Sequence, residues 1–283
     1  MFGFLNIYKP KGMTSHDVVS VLRRISKVKR IGHTGTLDPF AEGVLPICVG
    51  KSTRLIEYLK DDKAYIGTVK LGEATTTYDT EGEITKTCDK TVSLKNIKTV
   101  LENFRGNIEQ IPPIYSAIKV QGKKLYEYAR NGETVEIKPR TVTIQRLDIL
   151  KYDEIKKELE LFIECSKGTY IRSLANDIGD ALGTYGHLNK LIRVKAGDFV
   201  IENTVQLGEI QAKEDITKYL LNPLDYLDYP KYEVSEPEYT RILNGNSIKT
   251  NLTEGIIILT AKHEIIATAK TENGITKPQK VFI

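Results

Sequence analysis

Alternation of apolar and polar residues in three segments is the feature that most constrains the fold of this chain. The pattern occupies residues 64–72, 141–150 and 158–166. Because successive side chains of a strand point to opposite faces, this period predicts strands with one buried face. Helical spacing of apolar residues predicts helices at 93–104 and at about 170–182. Strands and helices in this order predict an α+β fold, with a mixed, mainly antiparallel sheet flanked by helices.

The pattern changes after residue 230. Residues 231–283 contain short apolar runs, such as G-I-I-I-L-T-A-K-H-E-I-I-A-T-A at 255–269, and two Asn-Gly pairs. Turn residues between short runs rich in β-branched side chains are typical of hairpins. We therefore expect a first domain at residues 1–230 and a separate small β-domain at 231–283.

The composition restricts the class of protein. A hydrophobic fraction of 40% in 283 residues suffices for a packed core. The longest apolar runs are too short for a membrane-spanning helix, and the first residues do not resemble a signal peptide, so we expect a cytoplasmic protein.

Cofactor and metal motifs are not evident. The three cysteines form no C-x-x-C pair, and the four histidines form no H-x-x-x-H pair. The segment V-G-K-S-T at 49–53 lacks the upstream glycine of a phosphate-binding loop, because Leu45 stands there. The sequence thus predicts neither a metal site nor a nucleotide cofactor.

Asp38 lies in a tight and mostly apolar bend. Gly32 and Gly35 allow backbone conformations that other residues avoid, and Pro39 favours an extended conformation at Asp38. Such a bend can hold one carboxylate at a fixed angle in a cleft. The alternative is an aspartate that only closes a turn through its own side chain.

Two further side chains are candidates for the same site. Arg172 lies near the predicted start of a helix, where the helix dipole favours anions, so pairing with a carboxylate or phosphate is one explanation. A solvated surface arginine is the other. Tyr65 shares a strand face with Gly67, Val69 and Leu71, and an ordinary core tyrosine is the alternative there.

Basic residues concentrate in two places. Residues 1–60 carry ten Lys or Arg against four Asp or Glu, and Arg23 to Arg30 contains five of the ten. Residues 106–138 mix tyrosines, prolines and cations, a composition that suits an RNA-binding insertion. Both segments fit a polyanion such as nucleic acid, although a basic run is also typical of a solvated helix face.

Together these segments resemble the bacterial tRNA pseudouridine-55 synthase family. The resemblance covers about residues 3–200 and is carried by six motifs in the family's order. They are N-I-Y-K-P-K-G-M-T-S-H-D (6–17), G-H-T-G-T-L-D-P-F-A-E-G-V-L-P (32–46), K-A-Y (63–65), P-P-I-Y-S-A-I-K-V-Q-G-K-K-L-Y-E-Y-A-R (112–130), C-S-K-G-T-Y-I-R-S-L-A-N-D-I-G (165–179) and L-I-R-V-K-A-G-D-F (191–199).

The resemblance implies a pseudouridine synthase fold with a small, barrel-like RNA-binding domain at the C-terminus. It implies isomerisation of uridine 55 in the tRNA T arm by a monomer, without cofactor, metal or protein partner. Asp38 matches the catalytic aspartate, Tyr65 the tyrosine that stacks on the flipped base, and Arg172 the arginine that pairs with the aspartate. The expected substrate- or RNA-binding residues are Lys9, His33, Lys119, Lys123, Arg130, Tyr170, Leu191 and Arg193. By the same resemblance, Lys9 and Pro10 match a motif that supports the catalytic loop, and Leu191 and Arg193 match a segment packed against the active site.

Several points stay open at this level. Asp38 either attacks C1′ of the ribose or removes a ribose proton. Burial raises the pKa of a carboxyl group, and we expect Arg172 to reverse that effect. A non-catalytic RNA-folding factor, a guide-RNA-dependent relative and a ribosomal RNA modifier are competing interpretations. A tRNA-folding activity is also compatible with catalysis.

Overall fold

The structure is a computed structural model, and it describes residues 1–282. Its strands are β1 (Gly3–Lys9), β2 (Ile31–His33), β3 (Glu42–Val49), β4 (Lys63–Leu71), β5 (Glu73–Thr75), β6 (Ile84–Thr87), β7 (Gly106–Gln110), β8 (Lys119–Val120), β9 (Lys123–Lys124), β10 (Arg140–Asp153), β11 (Glu158–Cys165), β12 (Gly186–Ala196), β13 (Phe199–Val200), β14 (Val205–Gln206), β15 (Lys231–Glu233), β16 (Ile248–Lys249), β17 (Gly255–Ala261), β18 (Glu264–Glu272) and β19 (Ile275–Val281). Its helices are α1 (Ser15–Ser26), α2 (Leu94–Leu101), α3 (Leu125–Arg130), α4 (Ile171–Leu182), α5 (Lys213–Lys218) and α6 (Glu236–Leu243). Short 3₁₀ helices occupy Gly50–Tyr58, Glu102–Phe104, Ile201–Asn203, Leu207–Glu209 and Pro223–Tyr226.

A ten-stranded sheet forms the body of the molecule, with the strand order β14-β1-β3-β12-β4-β11-β10-β7 and with β2 and β13 attached to β3 and β12. Its pairings are antiparallel except for β1 with β14 and β12 with β3. The prediction of a mixed, mainly antiparallel sheet is therefore confirmed.

Helix α1 packs on one end of this sheet. Its N-terminus has a capping box, in which the Thr14 hydroxyl accepts from the Asp17 amide and the Asp17 carboxylate accepts from the Thr14 amide. Val18 and Leu22 are buried against strand residues such as Leu5. The helix ends at Lys27, whose φ of 60° turns the chain toward β2. This packing fixes the segment that leads to the Asp38 bend.

Helix α4 packs across the middle of the sheet. Leu174, Ile178 and Leu182 belong to the same buried cluster as Val69 and Leu159 on the central strands. Gly179 allows a close approach, because a Cβ there would lie 2.2 Å from the amide nitrogen of the next strand. The helix is thereby held against the sheet, with its N-terminus and Arg172 at the cleft.

A second sheet of five strands follows from residue 231, in the order β15-β17-β18-β19-β16, and it curls like half a barrel. The predicted small β-structure at the C-terminus is confirmed. The predicted short β-runs did not include helix α6, however. That helix arises locally, because Ser235 and Glu238 form a capping box and Pro237 lies in the first turn. Ile258 and Phe282 of this sheet share a buried cluster with Phe4 and Leu55 of the larger one.

Three other segments complete the fold. Residues 50–58 form a 3₁₀ helix, and the polar segment 73–84 forms β5 and the start of β6. Strand β7, at the start of the predicted insertion, pairs with β10 as an edge of the large sheet. None of the helices described in residues 1–282 has the length and hydropathy needed to cross a membrane.

Candidate active site

The Asp38 bend is the connection between β2 and β3, and it is pinned to helix α1. The Ser15 hydroxyl accepts from the Leu37 amide at 2.8 Å and donates to the Leu37 carbonyl at 3.2 Å. Leu37 and Phe40 on either side of Asp38 are buried. These contacts hold one carboxylate at the wall of a cleft.

Lys9 supports the bend from below. Its side chain is completely buried, and Nζ donates to the carbonyls of Pro10, Met13 and Pro39 at 2.9, 2.6 and 3.3 Å. Burial lowers the pKa of Lys9 to about 8, and the nearby Asp38 carboxylate opposes that shift. Lys9 therefore ties the chain before α1 to the exit of the Asp38 bend.

Arg193 supports the bend from strand β12. The residue is completely buried, and its guanidinium donates to the carbonyls of Val44 at 2.7 Å, Gly35 at 3.1 Å and Thr36 at 3.4 Å. It also faces the hydroxyl of Tyr65. Burial raises the pKa of Tyr65 to about 12, with Arg193 opposing, so the phenol is protonated at neutral pH.

Arg172 lies between two carboxylates. Its Nε is 2.9 Å from Oδ2 of Asp38, and its Nη1 is 3.4 Å from Oδ2 of Asp79. Nη2 also donates to Oδ1 of Asp38 at 3.3 Å and to the carbonyl of Tyr115 at 3.0 Å. Asp79 is itself held by the Thr77 hydroxyl at 2.5 Å and the Glu81 amide at 2.9 Å. The Arg172 guanidinium is therefore shared between the carboxylates of Asp38 and Asp79.

The pKa of Asp38 lies above its usual value. Desolvation by the surrounding protein raises it, although 35% of the side-chain surface faces the cleft; Arg172 opposes this rise, and Asp79 adds to it. The expectation that Arg172 reverses the effect of burial was wrong for this structure. The physical reason is that desolvation of the Asp38 carboxyl outweighs the attraction of Arg172, and the charge of Asp79 on the same guanidinium adds to the rise.

A cavity of about 490 Å³ opens in front of these groups. Five of the residues expected from the sequence line it, namely Asp38, Tyr65, Tyr170, Arg172 and Leu191. The opposite wall belongs to the insertion after β7 and includes Tyr115, Ser116 and Tyr126. The arrangement offers one carboxylate and aromatic side chains, in a cleft open to solvent, to a flat, polar ring.

The other expected residues lie elsewhere. Lys9 and Arg193 are beneath the bend and do not line the cavity. His33 is half-buried in β2 next to the bend; burial, followed by the charge of Arg193, lowers its pKa, and its Nδ1 makes no hydrogen bond. These three residues are therefore placed to support or flank the bend.

The three basic residues expected to bind RNA from the insertion, Lys119, Lys123 and Arg130, are at its surface. Lys119 and Arg130 are exposed, and Arg130 lies 5.3 Å from the centre of the Tyr126 ring. Lys123 pairs with Glu133 at 2.7 Å and lies over the Tyr128 ring. The insertion therefore carries cation–aromatic pairs, and one of them, Arg130 with Tyr126, adjoins the cavity wall.

Asp79 is the residue of this site that sequence reasoning missed. It lies in the polar segment T-T-T-Y-D-T-E-G, which carries no periodicity or motif that singles out one acid. Its role depends on a contact with Arg172, more than ninety positions away in the chain. A covarying pair of charges in an alignment is the signal that would find it.

Two other features bear on the chemistry. Within residues 1–282, no three His, Cys, Asp or Glu side chains are grouped as metal ligands would be. A larger cavity of about 880 Å³ lies between the two sheets, but the carboxylates of Glu233, Glu236 and Glu264 border it. That charge is unfavourable for RNA phosphates.

Comparison with known proteins agrees with this geometry. Residues 23–171 match the model of the TruB family pseudouridylate synthase N-terminal domain, and residues 172–227 match that of the tRNA pseudouridylate synthase B C-terminal domain. The tRNA pseudouridine synthase B of Caldanaerobacter subterraneus subsp. tengcongensis is 44% identical over 99% of both chains. That of Alkaliphilus oremlandii is 47% identical over 89% of this chain and 84% of its own.

Solved structures share the fold at lower identity. An H/ACA ribonucleoprotein bound to a substrate RNA containing 2′-deoxyuridine includes a chain with a TM-score of 0.72 and 23% identity, over 100% of this chain and 85% of that one. The archaeal box H/ACA Nop10–Cbf5 complex gives 0.71 and 24%, over 99% and 86%. The matched family model spans more than half of the sequence, and the relatives match along nearly all of it, so this chain belongs to the TruB family of pseudouridylate synthases.

Proposed function

We propose that this protein converts uridine 55 of tRNA to pseudouridine, and that it recognises the T arm. The observation that carries the proposal is the Asp38–Arg172 pair at the wall of a cavity that also exposes Tyr65 and Tyr170. The relatives' name, tRNA pseudouridine synthase B, supplies the substrate class. Position 55 rests on the motif resemblance described above.

The reaction requires no external oxidant or group donor. The bond between N1 of uracil and C1′ breaks, the base turns, and C5 bonds to C1′; C5 then loses a proton and N1 gains one. A carboxylate at Asp38 either attacks C1′ to form an ester or removes a ribose proton, and both routes need it ionised. Leu37 lines the cavity beside Asp38, and its apolar side chain disfavours water near the reacting carboxylate.

Base flipping explains the aromatic wall. The target base must leave the stack of the RNA loop, at a cost of a few kcal/mol. Stacking on an aromatic face returns on the order of 1–3 kcal/mol per base. Tyr65, with 6% of its surface exposed, presents its ring edge or face to the cavity and is the candidate for this contact.

The supporting residues act through the bend. Lys9 and Arg193 are completely buried and donate to backbone carbonyls of the bend and its neighbours, so we assign them to positioning Asp38 and not to RNA contact. His33 flanks the bend and is assigned to the flipped region of the RNA. Leu191 closes the cavity floor.

We assign the binding of RNA phosphates to basic residues on two surfaces. Arg24, Lys27, Lys29 and Arg30 are exposed at the end of α1, and Lys119, Lys123 and Arg130 are on the insertion. We assign residues 1–230 to catalysis, with 106–138 as the RNA-binding insertion, and 231–283 to additional RNA binding. The protein acts as a monomer without a guide RNA or protein partner.

The direct experiment is incubation of the purified protein alone with an unmodified T-arm stem-loop, followed by mapping of pseudouridine. The proposal predicts a single modified position equivalent to uridine 55. A stem-loop in which that uridine is cytidine serves as the control. Failure to modify the stem-loop or full-length tRNA, with binding intact, would favour the competing RNA-folding interpretation.

A further inference from the structure

Helix α4 begins without a capping side chain of its own. Its first flanking residue, Tyr170, provides no side-chain cap. A side chain from β7 instead holds that flanking residue: Gln110 Oε1 accepts from the Tyr170 amide at 2.8 Å, and Gln110 Nε2 donates to the Tyr170 carbonyl at 3.0 Å. Gln110 is 2% exposed. Buried polar groups of this kind are costly unless paired, so both bonds contribute to holding the helix start.

The chain after Gln110 makes further contacts with the same helix turn. The Ser173 hydroxyl donates to the Ile111 carbonyl at 2.8 Å, and Arg172 Nη2 donates to the Tyr115 carbonyl at 3.0 Å. The base of the insertion and the first turn of α4 are therefore joined at three successive points. Arg172, which meets Asp38, lies within that turn.

We propose that Gln110 is a positioning residue for pseudouridine formation: it aligns the first turn of α4 so that Arg172 meets Asp38, and it links this alignment to the insertion. The inference rests on the proposed function and deepens it. The backbone of Gln110 already pairs with Arg140 in the sheet, so strand β7 does not need the side chain for its place.

The residue type fits the task. Tyr170 presents one donor and one acceptor, and a primary amide matches both. A carboxylate in that place would add negative charge near a site where Asp38, Asp79 and Glu81 already face Arg172 and Lys9. Leucine would fill similar space without either bond.

The test compares Gln110→Leu and Gln110→Glu with Gln145→Leu, which changes an exposed glutamine on β10 outside the insertion. Single-turnover rate constants on the T-arm stem-loop, RNA affinity and the acid limb of the rate–pH profile are measured for each. We expect Gln110→Leu to lower the rate on the order of tenfold to a hundredfold with affinity retained, because small misplacements at a reacting centre are costly. Its acid limb moves to higher pH, since a displaced Arg172 opposes the rise in the pKa of Asp38 less. Gln110→Glu keeps the bond to the Tyr170 amide and lies between Gln110→Leu and the native protein in rate. Gln145→Leu matches the native protein.

A Gln110→Leu protein with the native rate, or with a lower rate and an unmoved acid limb, would overturn the inference. If Gln110→Leu does not fold, as judged by circular dichroism, the rate and acid limb of Gln110→Met decide in the same way, because methionine is neutral, has a similar shape and makes neither bond. Inactivity of the native protein would instead overturn the proposed function, so the two failures are distinct.

Discussion

Asp38 Oδ2 lies 2.9 Å from Nε of Arg172, yet the pKa of Asp38 is raised and not lowered. Desolvation is the largest cause of the raised pKa. Arg172 lowers the pKa, but it also pairs with Asp79, whose negative charge raises the pKa of Asp38 further. The Asp38 carboxyl therefore ionises at a higher pH than an ordinary aspartate does. This property allows the site to be tested through its pH dependence.

Replacement of Asp79 by asparagine should move the acid limb of activity to lower pH. The reason is that Asp79 raises the pKa of Asp38, and its amide keeps the hydrogen bonds without the charge. The rate–pH profile on the stem-loop measures this. Glu83→Gln, an exposed acid on the same segment, is the matched control and should leave the limb in place. An unmoved limb in Asp79→Asn would contradict the shared-cation account.

Replacement of Arg172 by methionine should destabilise the fold at neutral pH. Two enclosed carboxylates then lose their common cation, which costs roughly 3–5 kcal/mol for a buried pair. The loss in the free energy of unfolding should become smaller toward pH 4, because protonation removes the charge of Asp38. Urea unfolding at both pH values measures this. Arg146→Met, which removes an exposed partner of Asp148, should cost far less, and equal losses in the two variants would refute the argument.

Replacement of Tyr65 by phenylalanine should preserve RNA affinity and abolish most turnover if the hydroxyl acts on a proton. With a pKa of about 12 the phenol is protonated, and it faces Arg193. Binding and single-turnover assays separate the two effects. Tyr152→Phe, which removes a hydroxyl bonded to the Val92 carbonyl away from the cavity, is the control. Native turnover in Tyr65→Phe would limit Tyr65 to stacking.

RNA affinity should fall steeply with salt. Each phosphate contact contributes roughly 0.7–0.9 to the slope of log affinity against log salt. Lys29→Gln with Arg30→Gln should therefore reduce that slope by about 1.4–1.8 for two contacts. Lys95→Gln with Lys98→Gln, exposed on α2, is the charge-matched control. An unchanged slope in the first variant would place these cations outside the RNA interface.

The elements that sequence reasoning identified are those set by local pattern. Alternation located β4, β10 and β11, and apolar spacing located α4, because each depends on residues close in the chain. Helix α6 was missed although its capping box is local, since the apolar runs around it have the period of strands.

The active site shows what a local sequence pattern cannot predict. The Asp38 bend was visible because glycines and proline mark a turn. Lys9 and Arg193 were named as its supports by motif resemblance, but their contacts could not be derived from local pattern. The burial of Lys9 and Arg193 beneath the bend depends on strands that meet only in the folded sheet. The same is true of Asp79 and Gln110, whose partners on α4 are about 60 to 95 positions away.

Asp38 also affects stability, and the sign follows from its raised pKa. Below about pH 3.9, the usual value for an unfolded aspartate, both states are protonated and the residue has no effect. As the pH rises above that value the unfolded state ionises first, so folded Asp38 costs stability up to neutral pH. Asp38→Asn, which leaves Arg172 paired with Asp79, should therefore fold at least as stably as the native protein at pH 7.

Pseudouridine formation by Asp38→Asn on the T-arm stem-loop is the most direct measurement. The account predicts a folded protein that binds the stem-loop with native affinity and forms no detectable pseudouridine. Formation of pseudouridine at the native rate would contradict it.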